Sequence, residues 1–546
     1  MKRMIFILIF MFTSFSSPSV ASEEDGVTSS SVSFGASFPA TGVASPGIGS
    51  YYSGIEAYFS HVNDNGGIYG RKINLIRKDD GNLPARAVSS NMELVRGNGA
   101  FAFLSTAPSC STQLAVASGI NPGKMGIPNL FVDCFIDRTS EDPEESSSEK
   151  SSTTSYGKVS TQNQITILKS YLDKALPNQK IALVYQDDEH AVGISKVKAD
   201  SKVHCSKSFI VGTESMALNS IVEICKNNGG LKDGDAVIYA GSPRGLGALI
   251  LLFEKAKLNL KYFAVEGALN RVLFSSMGLS SNSSVEIYTI SNNALISETS
   301  NEVVATFLSI GRKYLGSSTL DQRFLNGMNV GYIVSNLLGA IGPDLTRERF
   351  INALNLYGNQ FDALGLSERS QDSVTRFMPL GGVVVKNVGS SSEIVSEVYV
   401  VVNGNVSLKP RKQINLSPRG LPILAQKLPN SVPAAKPTQT VAPQPSKTIS
   451  PTPSPSPVLE LDGEEEPVFG KVSVKKEKNK YIISISSNLP NENLQVRATK
   501  RGQKSISFKV TTDDDGLAKF TTSRSLAGFQ IALSLDGEIL SSVKAN

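Results

Sequence analysis

The stretch GIEAYFSHVNDNGGIYGRKINLIRKDDGNLPARAVSS, from Gly54 to Ser90, decides how this chain folds. Ile55, Tyr58, Phe59 and Val62 recur every three or four residues, so they share one face of an amphipathic helix. Asn65, Gly66 and Gly67 stop that helix, because glycine accepts the left-handed backbone a helix end needs. Ile73 and Leu75 alternate with polar neighbours, the period of a strand. Asp79-Asp80-Gly81 closes the strand, and Pro84 falls where the next helix has its first turn. The unit is helix, tight turn, strand, loop, helix.

Outward from it, the same alternation continues for some 300 residues. AFAFL (Ala100 to Leu104) reads as a buried strand with a helix from about Thr112, and IPNLFV (Ile127 to Val132) as another strand. Ile165, Leu168 and Leu172 share a helix face. IALVY (Ile181 to Tyr185), SFIV (Ser208 to Val211), DAVIY (Asp235 to Tyr239) and YFAV (Tyr262 to Val265) are further strands, each followed by a helical pattern. Short apolar strands alternating with helices predict parallel sheets covered on both faces. The units are too many for one compact sheet, so the spacing predicts two α/β lobes.

The two ends differ from this body. Lys2 and Arg3 precede the apolar run Met4 to Phe12 and the small-residue step SVA, which predicts a secretory signal peptide over residues 1–21. The run is too short to span a bilayer, and no cysteine stands near the cleavage site to carry a lipid anchor. The expected product is exported, extracytoplasmic and soluble. Residues 428–466 are rich in Pro, Ser and Thr and read as an extended linker. At ~3.1 Å per residue its Pro-rich part reaches on the order of 80 Å. Beyond it, KYIISIS, NLQVRA, SISFKVTT, LAKFTT and FQIALSL are short strands separated by DDDG and DG turns. Residues 467–546 therefore predict a small all-β sandwich, immunoglobulin-like in type.

At 546 residues, 40% hydrophobic and 19% charged, the chain has material for several packed domains. Its net charge of +5 is small and dispersed, which gives no case for nucleic acid. Export makes Cys110, Cys134, Cys205 and Cys225 disulfide candidates. Three pairings are open; Cys110 with Cys134 and Cys205 with Cys225 joins those close in sequence, and four buried thiols is the plainer alternative. His61, His190 and His204 are scattered, so no metal site or other cofactor is expected. No Gly-x-Ser-x-Gly, His-Glu-x-x-His or phosphate-loop pattern occurs, and no catalysis is expected.

The Gly54–Val88 pattern resembles the periplasmic branched-chain amino acid (Leu/Ile/Val) binding proteins, the type I solute-binding proteins of ABC importers: a helix ending near Asn-x-x-Gly-Gly, then Gly-Arg-Lys, a strand, an acidic pair and a helix. The likeness runs from about Ser31 to Leu408 and includes IALVYQDDEHAVG and KYFAVEGALN. It implies two Rossmann-like lobes within residues 30–425, joined by a three-strand hinge, with 30–157 plus 285–345 in one lobe and 158–284 plus 346–410 in the other. It also implies a ligand held between lobes that close on it, and docking of the closed form on a permease.

The resemblance carries site residues with it. Ser109 matches a serine whose hydroxyl meets a ligand carboxylate. Independently, Ser109 or Ser111 falls at a helix N-terminus after a strand, where free backbone N–H groups favour an anion; an ordinary N-cap is the alternative. Asp133 and Phe135 match first-lobe contact positions, with Asp133 an acidic departure that holds a cation or points away. Glu266, in a Glu-Gly step at a strand end, matches the glutamate that pairs with a ligand ammonium; a solvated loop residue is the alternative. His190 stands where the family usually has an aromatic residue and keeps the flat ring, a surface loop histidine being the alternative; Ser242 stands where the family often has an aromatic residue, and the loss of bulk at Ser242 implies a larger or more polar ligand than leucine. Tyr51 and Tyr52 line the cleft or pack in the core.

The expected function is an extracytoplasmic solute-binding protein of an ABC importer, taking an amino acid or amide-like small molecule, with an ABC permease as partner. A ligand-sensing receptor module is one alternative. A cell-surface structural or adhesive protein, holding wall or envelope through its C-terminal β domain, is the other.

Overall fold

The structure is a computed structural model. It describes residues 25–424 and 470–544, apart from 43–44, 46, 98, 105–109, 121, 123–124, 134–152, 192–193, 211–213, 280–283, 317–319, 373–375, 414–415, 478–479, 488–492, 501–502, 512–516, 523–524, 528 and 536–537. The expected signal peptide and the linker up to residue 469 lie outside the described residues. The chain divides into two compact units, residues 1–439 and 440–546.

The first unit opens with strand β1 (Ser31–Phe38), helix α1 (Ile48–Asp64), β2 (Lys72–Asp79) and α2 (Pro84–Arg96). Then come β3 (Ala102–Leu104), α3 (Cys110–Gly119), β4 (Asn129–Val132) and β5 (Thr154–Tyr156). All five strands are parallel, in the order β2-β1-β3-β4-β5. The Asn-Asp-Asn-Gly-Gly signal does what its chemistry predicts. Gly67, at φ +69°, lies so close to the chain that a Cβ would stand 2.0 Å from the Arg71 carbonyl oxygen. The Asn63 amide then pairs with both backbone groups of Ile73, at 2.9 and 2.8 Å, stapling the end of α1 to β2. The acidic pair is structural too. Asp79 accepts from the backbone N–H groups of Ala40, Thr41 and Gly81, and Asp80 accepts from Ser37 Oγ at 2.8 Å, so the ends of β1 and β2 are tied together.

The chain then crosses to a second sheet through 157–160. Helix α4 (Thr161–Ala175) leads to β6 (Ile181–Gln186), α5 (Ile194–Lys198), β7 (Val203–Phe209), α6 (Glu214–Asn227) and β8 (Ala236–Ala240). After these come α7 (Pro243–Lys255), β9 (Lys261–Ala264), α8 (Arg271–Ser276) and β10 (Glu286–Ser291). Strands β7-β6-β8-β9-β10 are parallel neighbours in that order. Every residue of β8 is buried, as a central strand covered on both faces requires. Strand β7 begins five residues before the expected SFIV, because its polar start, VHCSK, hides the strand period. Cys205 on β7 and Cys225 on α6 are disulfide-bonded, with Cα atoms 5.3 Å apart. Cys134 lies outside the described residues, and the pairing expected for it with Cys110 lies there too.

The second crossing returns the chain to the first core as α9 (Glu302–Leu315), α10 (Gln322–Ile341) and α11 (Arg347–Phe361). Helix α10 is buried at 17 of its 20 residues. It lies against α1 with glycines at the contact: a Cβ on Gly327 would stand 1.9 Å from the Tyr51 carbonyl oxygen, and one on Gly54 2.2 Å from that of Phe324. The third crossing, through residues 367–380, enters β11 (Gly381–Val388). It is followed by β12 (Ser391–Ile394), β13 (Val398–Val402) and β14 (Asn405–Lys409). Strands β11, β13 and β14 extend the second sheet antiparallel beyond β10, and β12 pairs with β11.

Two boundaries differ from expectation. Strand β10 sits in the second sheet, and α11 packs its Phe350, Leu354, Tyr357 and Phe361 into the first core. The hand-over points therefore fall near residues 292 and 367, not 285 and 346. Local periodicity identifies an element but not the sheet it joins. Beyond the three crossovers the chain also returns once more: Lys412 N donates to Leu366 O at 3.0 Å, and residues 416–424 run over α1 and α10. There Ile423 N donates to Asn336 Oδ1 at 3.0 Å, and Tyr58 donates its hydroxyl to Gly420 O.

Among the described residues the second unit holds seven antiparallel strands: β15 (Gly470–Glu477), β16 (Lys480–Ser487), β17 (Asn493–Lys500), β18 (Gln503–Thr511), β19 (Leu517–Thr522), β20 (Gln530–Leu535) and β21 (Glu538–Lys544). They form a three-stranded sheet, β15-β16-β19, and a four-stranded one, β18-β17-β20-β21. Tyr481 and Ile483 of one sheet share a core with Val496, Ala498, Ile531 and Leu533 of the other, which makes the unit a sandwich.

Candidate functional site

In open parallel sheets, ligands meet the carboxyl ends of the strands. Four nominated residues stand there. Asp133 directly follows β4, and His190, Ser242 and Glu266 follow β6, β8 and β9, which are adjacent in the second sheet. Ser109 and Phe135 lie outside the described residues, and Ser111 is placed by its backbone in the first turn of α3.

The second-lobe residues form a linked array. His190 Nδ1 is 2.7 Å from Asp188 Oδ1, and the same carboxylate oxygen accepts from His190 N at 2.9 Å. Gln186 donates its amide to Asp188 and accepts from Ser242 N at 3.2 Å. Burial works to raise the Asp188 carboxyl, but the hydrogen bonds and charge of His190 and the Gln186 bond outweigh it and hold it below its usual value. Ser242 is a helix cap: its Oγ accepts from Gly245 N at 3.3 Å and its carbonyl from the Tyr239 hydroxyl at 2.9 Å. A serine directly before a proline at the first helical position is a capping signal readable in the sequence.

Between the lobes stands a charged cluster that sequence reasoning identified only in part. Lys158, on the first crossover, places its Nζ 2.9 Å from Asp133 Oδ2. The acidic departure at Asp133 thus already faces a cation from its own chain. Glu266 lies within Coulombic reach of Lys158, of Arg323 at the start of α10, and of Asp133. Its backbone is fixed by Gln164 of α4, whose Oε1 accepts from Glu266 N at 2.8 Å. Burial raises the Asp133 and Glu266 carboxyls, with Lys158 pulling both back. For Lys158, burial opposes the ammonium, yet the charges of Asp133 and Glu266 and the bond to Asp133 prevail and hold it above its ordinary value. Tyr51 belongs to the same surroundings: burial first, then the Asp133 charge, raises its hydroxyl well above the usual range. Tyr52 is instead core, fully buried and stacked on Phe38 at 3.8 Å.

A pocket of about 590 Å³ opens in the first lobe, lined by Phe38, Gly47, Ser50, Arg77, Lys78 and Asp79 among others. Arg323 reaches its edge, since a Cβ on Gly47 would stand 1.9 Å from the Arg323 guanidinium. Lys158, Asp188 and Arg323 were not nominated from sequence; a lone charge in a turn or at a helix start carries no signal that separates it from a solvated one. Among the described residues, no group of three or more His, Cys, Asp or Glu could hold a metal ion. No helix among them is long and apolar enough to cross a membrane.

The fold and cleft define a type I periplasmic binding protein architecture, two α/β lobes joined by crossovers with polar groups meeting between them. Residues 31–221 match the family model described as periplasmic binding protein. Solved structures agree in fold over a longer span. A fatty acid ABC transporter substrate-binding protein from Thermomonospora curvata is 18% identical, with 70% of this chain and 96% of that one covered and a TM-score of 0.57. A branched-chain amino acid ABC transporter structure from Thermus thermophilus, with bound valine, is 14% identical, with 67% and 96% covered and a TM-score of 0.55. The branched-chain amino acid transporter substrate-binding protein LivJ from Streptococcus pneumoniae, in complex with isoleucine, is 18% identical, with 67% and 99% covered and a TM-score of 0.53. No curated protein matches the chain. At these identities the likeness shows the fold alone, and the solutes named for the three structures differ from one another.

Proposed function

We propose that this protein is an extracytoplasmic, soluble solute-binding protein of an ABC importer, not lipid-anchored, that holds an amino acid or amide-like small molecule between its lobes and presents the closed form to a permease. The observation that supports the reading is the ion pair of Lys158, on a crossover, with Asp133 at the end of a first-lobe strand, with Glu266 at the end of a second-lobe strand within Coulombic reach of both. Such a set favours a polar solute and rewards lobe closure, because a ligand that touches both lobes binds the closed state better than the open one. Ser109, Ser111, Phe135 and His190 complete the proposed lining. Nothing in the reading requires a reaction or a cofactor.

A thermal-shift screen of the exported chain against amino acids, amides, polyamines and small carboxylates tests this. A solute that binds only the folded state raises the melting temperature by mass action, about 2.7 kcal/mol at a hundredfold excess over Kd. A hit lost in Glu266→Ala supports both function and site. A hit untouched by Glu266→Ala leaves the function and sinks that residue's role. No hit from well-folded protein overturns the reading.

One observation favours a second role for the C-terminal module. The basic residues are dispersed along the chain but their balance is not: residues 467–546 carry 13 Lys and Arg against 7 Asp and Glu, while the rest of the chain is close to neutral. Attachment to an anionic wall or envelope fits that charge. Co-sedimentation of the full chain with isolated envelopes, compared with a chain ending at residue 424, tests it. Equal sedimentation of the two removes the role.

A further inference from the structure

We propose that a hydrogen-bond relay from the backbone of Ser242 through Gln186 and Asp188 fixes the proton of His190 on Nδ1, so that the neutral ring offers the solute a lone pair at Nε2 and selects an N–H or O–H donor there. The inference rests on the cleft being the solute site. The relay starts at a group that cannot be turned round. Ser242 N, between β8 and α7, can only donate, and it donates to Gln186 Oε1 at 3.2 Å. That sets the side-chain amide of Gln186, at the end of β6, with its nitrogen toward Asp188, and it donates to Asp188 Oδ2. The other carboxylate oxygen, Oδ1, accepts from His190 N at 2.9 Å and stands 2.7 Å from His190 Nδ1. An ionised carboxylate is an acceptor only, so the proton between the two belongs to Nδ1. Burial works against the Asp188 charge, but the bonds and charge of His190 and the Gln186 bond prevail, and the carboxyl stays in that acceptor form.

What the relay leaves open is Nε2. In a neutral imidazole one nitrogen donates and the other accepts, and with the proton on Nδ1 the lone pair lies on Nε2. Among the described residues Nε2 has no hydrogen-bond partner, and it is not one of the polar atoms closed off from solvent. The His190 side chain keeps 22% of its surface open, at the carboxyl end of β6 beside that of β8, so the atom is reachable. An amide N–H, an ammonium or a hydroxyl meets this lone pair. A carbonyl or carboxylate oxygen brought to the same atom sets one lone pair against another. Gln186 and Asp188 are positioning residues, which act through His190. The Ser242 hydroxyl takes no part, since it caps α7 on Gly245 N. The same relay dictates the effect of Asp188→Asn. Ser242 N still turns the Gln186 nitrogen toward position 188, so the new amide sets its oxygen to Gln186 and its nitrogen to His190. That nitrogen donates to Nδ1, and the ring proton moves to Nε2.

Nitrogen NMR of the exported full-length chain, with isotope-labelled histidine rings, reads the tautomer before any solute is added. The chain has three histidines, and His190→Ala identifies the signal. At a pH where the His190 ring is neutral by its own nitrogen shifts, the expected form has the proton on Nδ1, and Asp188→Asn moves it to Nε2. A wild-type ring with its proton on Nε2 overturns the inference without any variant. Calorimetric titration at the same pH then pairs butanamide with N,N-dimethylbutanamide and leucinamide with its N,N-dimethylamide. The member that keeps its N–H should bind about fivefold tighter or more, the worth of one hydrogen bond. That preference should vanish in His190→Ala and narrow or reverse in Asp188→Asn. Where the broad screen returns another solute, its own N–H or O–H is methylated to make the pair, and a solute with neither group overturns the inference. A merely structural role for Asp188 would weaken both members of a pair alike and leave the preference, which also overturns it. Solutes that bind His190→Ala as tightly as wild type sink the inference and leave the solute-binding reading standing. If folded protein binds no solute of any class, both fail.

Discussion

Arg369, on the third crossover, donates from Nη1 to the carbonyl of Gly157 on the first, at 3.4 Å, and so ties two of the chains that join the lobes. The same guanidinium pairs through Nε with Asp362, donates to Phe377 O at 3.1 Å and lies over the Phe377 ring at 4.5 Å. Asp362 in turn accepts from Asn329 Nδ2 of α10 at 2.7 Å. The pair is buried, with 4% and 1% of the two side chains exposed. A hinge needs fixed ends, and this network fixes one.

Removing one partner leaves the other charge buried and unpaired. Asp362→Asn and Arg369→Met should each lower unfolding stability by about 3–5 kcal/mol. The double variant should lose less than the sum, since no orphaned charge remains. Denaturant unfolding of the four proteins checks this, and additive losses would show that the pair does not act as a unit.

The pair also sets a response to acid. Burial alone would raise the Asp362 carboxyl, but the charge and hydrogen bond of Arg369 and the bond from Asn329 hold it below the usual carboxylate value. A depressed folded value stabilises the protein at pH above the unfolded value of about 3.9, and the contribution fades as pH falls through the lower folded one. Stability of the wild type should therefore fall through this acid range more steeply than that of Asp362→Asn. Unfolding free energies measured from pH 6 to pH 2 decide it; parallel curves would remove Asp362 from the acid response.

The α1–α10 contact predicts a sharp size limit. Gly327→Ala puts a methyl group 1.9 Å from a backbone oxygen, which neither helix can accept without moving apart. Overpacking of this kind costs about 1–3 kcal/mol. Gly49→Ala, also in α1, meets nothing within 4 Å and serves as the control. Thermal melts should show a clear drop for the first and little change for the second.

What the sequence showed and what it hid have physical causes. The Gly54–Ser90 unit was legible because glycines and a proline bracket two clean periods, and strands β6, β8 and β9 of the second lobe because they are short apolar runs, whereas β7 was found only in its last residues and β10, with its polar ends, was not read as a strand. Strand β5 is three residues long, too short for any period. Lys158 was invisible because its meaning depends on Asp133, 25 positions earlier, and on Glu266, more than a hundred positions later. Arg369 was hidden for the same reason: its partners Gly157 and Phe377 come together only when the crossovers do. Charges at chain crossings carry function through distant partners, and local pattern cannot report those.

Cys205 and Cys225 close a loop across β7 and α6, 20 positions apart. Holding a loop of that length shut in the unfolded chain stabilises the fold by about 3 kcal/mol. Cys205→Ala with Cys225→Ala should lose roughly that amount in urea. The solute site, built on the strand ends of β6, β8 and β9, should keep its affinity, as titration of the variant would show. Lost affinity would place the disulfide in the support of the site.

The route of the chain out of the first unit makes the last prediction. After β14 the backbone leaves the second sheet, and residues 416–424 are fastened to the first lobe by Ile423 N on Asn336, Ser417 N on the Tyr332 hydroxyl at 3.4 Å, and Tyr58 on Gly420 O. The described chain of the first unit therefore ends, at residue 424, on the first lobe, and a pull applied beyond that residue is expected to load that lobe before the second. The second lobe stays free to close. Protein immobilised through its C-terminus should bind a solute found in the screen with the same Kd as protein in solution, within about twofold, whereas a link engineered between the two lobes should weaken it. Surface plasmon resonance against solution calorimetry makes the comparison. Weaker binding on C-terminal capture would mean that tension on the module reaches the hinge, and that the strap over α1 and α10 does not isolate it.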